Sequence, residues 1–318
     1  MKYISFLFVC LFLLSCSSGE KAADKPPKIV FVIGDEEYRS EESMPMLAKI
    51  LKRELGAEVT LCFSVDSSGY IDPNRLDHIQ GLEALKDADL MVLFTRFRAL
   101  PDEELNYILE YAESGRPMVG FRTATHTFLY PDDSTKTYLN NQWPANVFGQ
   151  QWITHHGHFE DGHGKLTKVA LIPDLSSPIL NGIQPFEAYS WLYHVDGGEW
   201  KLSGDSKPIL KGKSLRSAHQ EAGRLEQYPL TNPVAWTKTY TGTSGVPARV
   251  FFTTLGHPYD FKLEEMRKLA LNGIYWALGN EDAIPENGVN ATLKEPYEPS
   301  NSGFGHKFKS GIKPDVIP

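Results

Sequence analysis

Three successive carboxylates, Asp35, Glu36 and Glu37, follow a short apolar run at residues 28–33 and precede Tyr38 and Arg39. A second polar cluster, Arg122-Thr123-Ala124-Thr125-His126, breaks from the apolar stretch that ends in Gly120. In an open parallel sheet, ligands collect outside the carboxyl ends of the strands, near the point where strand order reverses. Both clusters emerge at that rim if the runs before them are central strands. Arg122 is permanently cationic, and its forked donors suit a carboxylate, an enediolate or a developing oxyanion, or pairing with Asp35, Glu36 or Glu37. Thr123 and Thr125 are poor nucleophiles without an adjacent base. His257 stands in Leu255-Gly256-His257-Pro258, directly after another apolar run. A histidine near its reference pKa of about 6.5 gives or takes a proton at neutral pH. We therefore expect acid–base chemistry from His257, Arg122 and one of the three acids, assigned to Glu36. Glu37, Thr123 and His126 are expected to contact substrate.

The densest histidine cluster is Gln151-Trp152-Ile153-Thr154-His155-His156-Gly157-His158. If it is extended, His156 and His158 share one face and His155 takes the other. Neutral imidazoles near a carboxylate can hold zinc or another divalent metal, so His155, His156 and His158 are candidate metal ligands. Their spacing matches no established zinc motif, and a metal-free polar wall or an exposed loop fits the same residues. As a wall, His155 and His156 would join Trp191 in binding substrate. Trp143, Trp152, Tyr193 and Trp236 add flat faces that suit sugar rings or an ordinary core.

These residues need a scaffold, and the apolar runs provide one. Residues 28–33, 58–63 and 89–95 and the stretch before Arg122 read as buried strands. Helical stripes lie between them: Leu47, Ile50, Leu51 and Leu55, capped by Ser43 and stopped by Gly56, then Leu105, Ile108, Leu109 and Ala112 after Pro101. Strands alternating with helices predict a doubly wound, mostly parallel α/β sheet. Residues 234–240 and 248–255 flank a Gly-rich turn and predict a β-hairpin, followed by a helix over residues 263–278. Residues 130–231 are looser and should hold short strands and lids.

The net charge of −8, with no basic block, speaks against nucleic acid as a partner. At the amino terminus, Lys2 and an apolar run too short to span a bilayer end in Leu13-Leu14-Ser15-Cys16. That resembles a bacterial lipoprotein signal, with Cys16 as the lipid attachment site. We expect a leader over residues 1–15, a tether over 16–27, one domain over 28–280 and an extended tail over 281–318 packed on it. The expected location is the bacterial envelope, on the periplasmic or outer-membrane face. Only Cys62 then remains unmodified, so no disulfide forms within the mature monomer.

The chain resembles the ThuA-like family, named for trehalose utilisation. The likeness rests on Phe31-Val32-Ile33-Gly34, the Gly120 elbow with its polar run, Val147-Phe148-Gly149 and a long C-terminal block. That block comprises Asn232-Pro233-Val234-Ala235-Trp236, Arg249-Val250-Phe251-Phe252-Thr253-Thr254-Leu255-Gly256-His257, and Asn272-Gly273-Ile274-Tyr275-Trp276-Ala277-Leu278-Gly279. The resemblance implies a flavodoxin-like fold, related to class I glutamine amidotransferases, and an association with sugar metabolism. It also implies that His257 faces Arg122 and Thr123, as a C-terminal histidine faces the elbow in that fold. An amidotransferase places cysteine at the elbow, and this chain has none beyond Cys62, so glutamine hydrolysis by a thiolate is excluded there.

The expected function is an envelope-anchored, carbohydrate-processing enzyme acting on a sugar or keto-sugar as an isomerase, lyase or hydrolase. The alternative is a glycan-binding lipoprotein without catalysis. A metallohydrolase built on His155, His156 and His158 is a third reading. In each, the partners are a small-molecule sugar or glycan and a membrane reached through the lipid anchor.

Overall fold

In the computed structural model, which describes residues 25–158, 163–196 and 201–314, strand β1 (Lys28–Gly34) lies inside a sheet covered on both faces. This is why its sequence is apolar at successive positions rather than alternating. Ile29, Phe31 and Ile33 pack in the layer that holds helices α1 (Ser40–Leu55) and α5 (Glu264–Ala277). Val30 and Val32 face the opposite layer, with α2 (Asp102–Glu113) and α3 (Thr137–Phe148). The expected leader, Cys16 and the expected tether up to residue 24 lie outside the described residues.

Around β1 the sheet is parallel. The order runs β2 (Glu58–Phe63), β1, β3 (Leu90–Thr95), β4 (Met118–Phe121) and β11 (Pro247–Thr253). Beyond β11 it continues antiparallel through β10 (Thr231–Thr241), β9 (Lys207–Ser214), β6 (Thr167–Leu171) and β7 (Phe186–Ala188). The antiparallel pairing of β10 with β11 is the expected hairpin. A separate two-stranded ribbon joins β5 (Gln151–His155) to β8 (Tyr193–Asp196), and the short helix α4 (Ala218–Glu221) precedes β10.

Strand order reverses between β1 and β3, because β2 lies on one side of β1 and β3 on the other. The loops at residues 35–39 and 96–98 leave this switch point, and the elbow after β4 lies one strand further on. Gly120 is required at the elbow, since a Cβ there would meet Phe252 at 2.6 Å and Phe148 at 2.8 Å.

Two local expectations are corrected. Ser43 does not cap α1: the helix starts at Ser40, with Arg39 as its left-handed N-cap. The amides of Glu42 and Ser43 already donate to the Arg39 carbonyl, and Ser43 Oγ bonds back to the same oxygen inside the helix. The loose middle region includes the full helix α3, hidden by Pro144 and a mixed composition but fixed by burial of Leu139, Trp143, Val147 and Phe148.

After a 3₁₀ turn at Glu281–Ala283, residues 284–314 run extended over the domain. The Asn272 side chain accepts from the Val289 amide, Arg267 donates to the Ala291 carbonyl, and the Ile71 amide donates to the Ile312 carbonyl.

Candidate active site

The first loop is built by Asp35. Its Oδ1 accepts the amides of Glu37 (2.7 Å) and Tyr38 (2.8 Å), and its Oδ2 accepts the Thr123 hydroxyl. One buried carboxylate thus fixes the β1 loop and ties it to the β4 elbow. Arg39, Phe97 and Arg122 take left-handed backbone angles (φ +54°, +50° and +40°) at the ends of the loops or strands that meet here. Such conformations cost about 1–3 kcal/mol each and persist where the surroundings enforce them, often at functional sites.

The charges form a linked set. Arg98 is fully buried and donates to Glu36 Oε2 (2.6 Å), Ser64 Oγ (3.1 Å) and the carbonyls of Pro73 and Arg75. Arg96 donates to Glu36 Oε1 and also pairs with Glu37 Oε2 at 3.2 Å. Two carboxylates therefore flank one guanidinium. Burial pushes the Glu36 carboxyl up, aided by Asp35 and opposed by Arg98 and Arg96. Burial pushes Glu37 up to about 7, with Arg96 and Arg122 opposing and Asp35 reinforcing. Glu37 is thus a mostly buried carboxyl, its side chain 10% exposed, whose pKa burial holds near neutrality.

Aromatic rings border this pair. The Arg96 guanidinium lies over the Phe97 ring at 4.3 Å and the Phe304 ring at 5.0 Å. Phe97 packs on His126 (5.0 Å between centroids), and His126 packs on the half-buried Trp152 (5.4 Å). Burial and the positive charges of Arg96 and Arg122 push the His126 pKa well down, so its imidazole is neutral; its Nδ1 lies 3.0 Å from Thr125 Oγ1. Half-buried His155, pushed down to about 4 by burial, sits against Trp191 at 5.6 Å. The arrangement offers a titrating carboxyl, a fixed cation, neutral imidazoles and ring faces at one edge.

Arg122 and His257 share Tyr38 and Trp191 as neighbours, and both are sealed. The Arg122 guanidinium lies 4.1 Å from the Tyr38 ring and 4.3 Å from the Tyr193 ring, and donates to Thr254 O (2.8 Å), Trp191 O (3.3 Å) and Tyr38 Oη (3.1 Å). His257 Nδ1 accepts the Tyr259 amide (3.1 Å), and its Nε2 lies 2.9 Å from Ser302 Oγ. It forms a capping box with Asp260 at the 3₁₀ turn Pro258–Lys262. Both residues are 0% exposed, with the rings of Tyr38 and Trp191 packed against each of them. The structure places His257 as a cap of the Pro258–Lys262 turn rather than at an open edge where a proton could be exchanged, and it holds Arg122 as a buried charge bonded to backbone carbonyls. Thr123, expected to contact substrate, is likewise buried and committed to Asp35, so it positions the loop. Trp191 is 4% exposed and donates its indole N–H to the His158 carbonyl, so it backs the wall rather than presenting a face.

A family model described as trehalose utilisation (ThuA) matches residues 28–277. The chain belongs to the ThuA family. Two solved ThuA-like proteins share its fold. One, from Bacteroides uniformis, has 15% identity and a TM-score of 0.51, over 81% of this chain and 94% of that one. The other, from Parabacteroides merdae, has 16% identity and a TM-score of 0.51, over 91% and 98%. No curated protein matches the chain.

In this ThuA chain the histidine cluster does not converge. Strand β5 ends at His155, and Gly157 (φ +89°) turns the backbone, so the expected alternation fails. His156 is buried away from the carboxylates, with Nδ1 2.7 Å from Ser217 Oγ and its ring 5.2 Å from His219. His158 pairs with Glu221 at 2.9 Å near the surface. Among the described residues no group of three or more His, Cys, Asp or Glu side chains could hold a metal ion. The expectation of a divalent metal on His155, His156 and His158, and of His156 as a substrate contact, is corrected on this geometry. A groove of about 460 Å³ between α1 and the tail, lined by Met46, Lys49 and Tyr297, lies apart from the carboxylate pair.

Sequence reading missed Arg96, Phe97 and Arg98. Their signal was available, since two arginines follow the apolar run of β3 as directly as the acids follow β1. Phe304 had no such signal. Trp236, counted among candidate ring faces, is core: it is 0% exposed, stacks on Phe252 and donates to the Phe148 carbonyl.

Proposed function

We propose that this ThuA-family protein is an envelope-anchored enzyme that acts on a sugar or keto-sugar by acid–base chemistry, with Glu37 as the group that moves the proton. The single observation behind this reading is the Glu37 carboxyl, pushed up to about 7 beside the Arg96 guanidinium at the edge of the sheet. A base poised near the working pH is the most efficient at proton transfer. As a carboxylate, Glu37 takes a proton from the carbon next to a carbonyl, and the electron pair moves to the carbonyl oxygen. Arg96 stabilises that oxyanion. When the adjacent hydroxyl proton passes to that oxyanion and Glu37 returns its proton to the former carbonyl carbon, the carbonyl re-forms on the other carbon and the sugar is isomerised. When the electron pair instead expels a β-substituent as its anion, the result is elimination. Glu36, held between Arg96 and Arg98, fixes the guanidinium. The family description, trehalose utilisation, supports a carbohydrate substrate. Attachment through Cys16 rests on the leader sequence alone.

Turnover of a panel of disaccharides and keto-disaccharides tests the reading. Glu37→Gln should lower kcat by about 10²-fold or more, whereas His257→Ala should keep turnover within a few-fold and lose thermal stability. Equal turnover by Glu37→Gln and wild type overturns the assignment. The burial of Arg122 and His257 favours a second reading, glycan binding without turnover, which predicts saturable binding and no product with any member of the panel.

A further inference from the structure

The tail segment at residues 300–304 lies beyond the end of the family match at residue 277, yet it is pinned to the candidate site from several sides. The Ser300 amide donates to the Glu42 carboxylate (3.1 Å). Ser302 Oγ meets His257 Nε2. The Gly303 amide donates to the Glu37 carbonyl (2.8 Å), and the Gly303 carbonyl accepts from Arg39 Nη2 (2.9 Å). The next residue, Phe304, is held against the guanidinium that pairs with Glu37, with one side of its ring on Arg96. It nevertheless remains 48% exposed. An exposed phenylalanine is not itself informative. This one is fixed by the backbone bonds of its neighbour and stands at the border of a titrating carboxyl.

We infer that the tail is a wall of the ligand site, in which Phe304 offers its free ring face to the apolar C–H face of a pyranoside whose reacting carbon lies over Glu37. The inference rests on the sugar reading given above. It makes this segment a specificity element: ligands without a ring to lay on Phe304 lose that contact, while their chemistry at Glu37 is unchanged.

The test compares wild type, Phe304→Ala and Phe304→Trp in the full chain, using trehalose as a binding probe and keto-disaccharides prepared by chemical oxidation as probes of both binding and turnover. KM and kcat are measured against pH, and binding is followed by intrinsic tryptophan fluorescence. An aromatic contact contributes about 0.5–1.5 kcal/mol, so Phe304→Ala should raise KM or Kd by about two- to tenfold. Phe304→Trp should restore it, the melting temperature staying near wild type. If Phe304 merely shields Arg96, Phe304→Ala instead shifts the pH midpoint of kcat and leaves KM and Kd unmoved, and the inference fails. In that case loss of turnover in Glu37→Gln still upholds the sugar reading. If wild type neither binds nor converts any probe, the sugar reading fails and the wall with it.

Discussion

At the residue scale, Glu37 pits stability against chemistry. Its carboxyl is pushed from 4.5 up to about 7, burial being the largest cause. Below 4.5 it is protonated both folded and unfolded, and has no differential effect. Between 4.5 and about 7 the native chain holds the proton more tightly than the unfolded chain, so stability falls as pH rises through that window. Above 7 the full cost of a buried carboxylate is present. Glu37→Gln is therefore expected to melt several degrees above wild type at pH 8, with the gain shrinking towards zero at pH 4. Thermal melts at the two pH values check this. Turnover should move oppositely: as a base, wild-type Glu37 gains activity as pH rises through about 7. A single substitution that stabilises at pH 8 and inactivates would mark the group as functional rather than structural.

At the element scale, the ribbon of β5 and β8 with α4 behaves differently from the sheet. His194 and His219 pack on Tyr228, at 5.1 and 4.2 Å between ring centroids, and His156 lies 5.2 Å from His219. Burial pushes His156 down to about 4, reinforced by His219 and His194; burial also lowers His194, opposed by Asp196 and reinforced by His219, and lowers His219, reinforced by Arg224. Here the unfolded segment binds protons more readily, so its stability is lost as pH falls from about 6.5 towards 4. Protection factors from hydrogen exchange should drop for β5 and β8 amides at pH 5 relative to pH 7.5, with β1 and β3 unchanged. Equal protection at both pH values would contradict this assignment. The ribbon carries Trp152 and His155, so acidification should also loosen that wall of the candidate site.

At the scale of the whole molecule, one buried side chain joins three regions. Asn272 of α5 donates to the carbonyls of Ile179 and Asn181 and accepts the Val289 amide, each at 3.0 Å. It links the helix layer, the connection after β6 and the start of the tail. Asn272→Leu leaves these backbone groups unpaired in the interior, which costs about 3 kcal/mol. A fall of several degrees in melting temperature is expected, and an unchanged value would show that the tail holds without it. The tail matters here because it brings Phe304 and Ser302 to residues far away in sequence. The alternation of apolar runs and helical stripes determined the doubly wound sheet, the hairpin and α5, because burial on both faces leaves its mark locally in residue type. The same logic exposed Glu36 and Glu37, which directly follow β1, and could have exposed Arg96 and Arg98 after β3. Only tertiary structure decided which polar groups remain accessible. His257 and Arg122 have the chemistry of a catalytic pair, but Ser302, Tyr38, Tyr193 and Trp191 arrive from other segments to bond or cover them. Accessibility depends on those long-range neighbours, and no spacing along the chain records them.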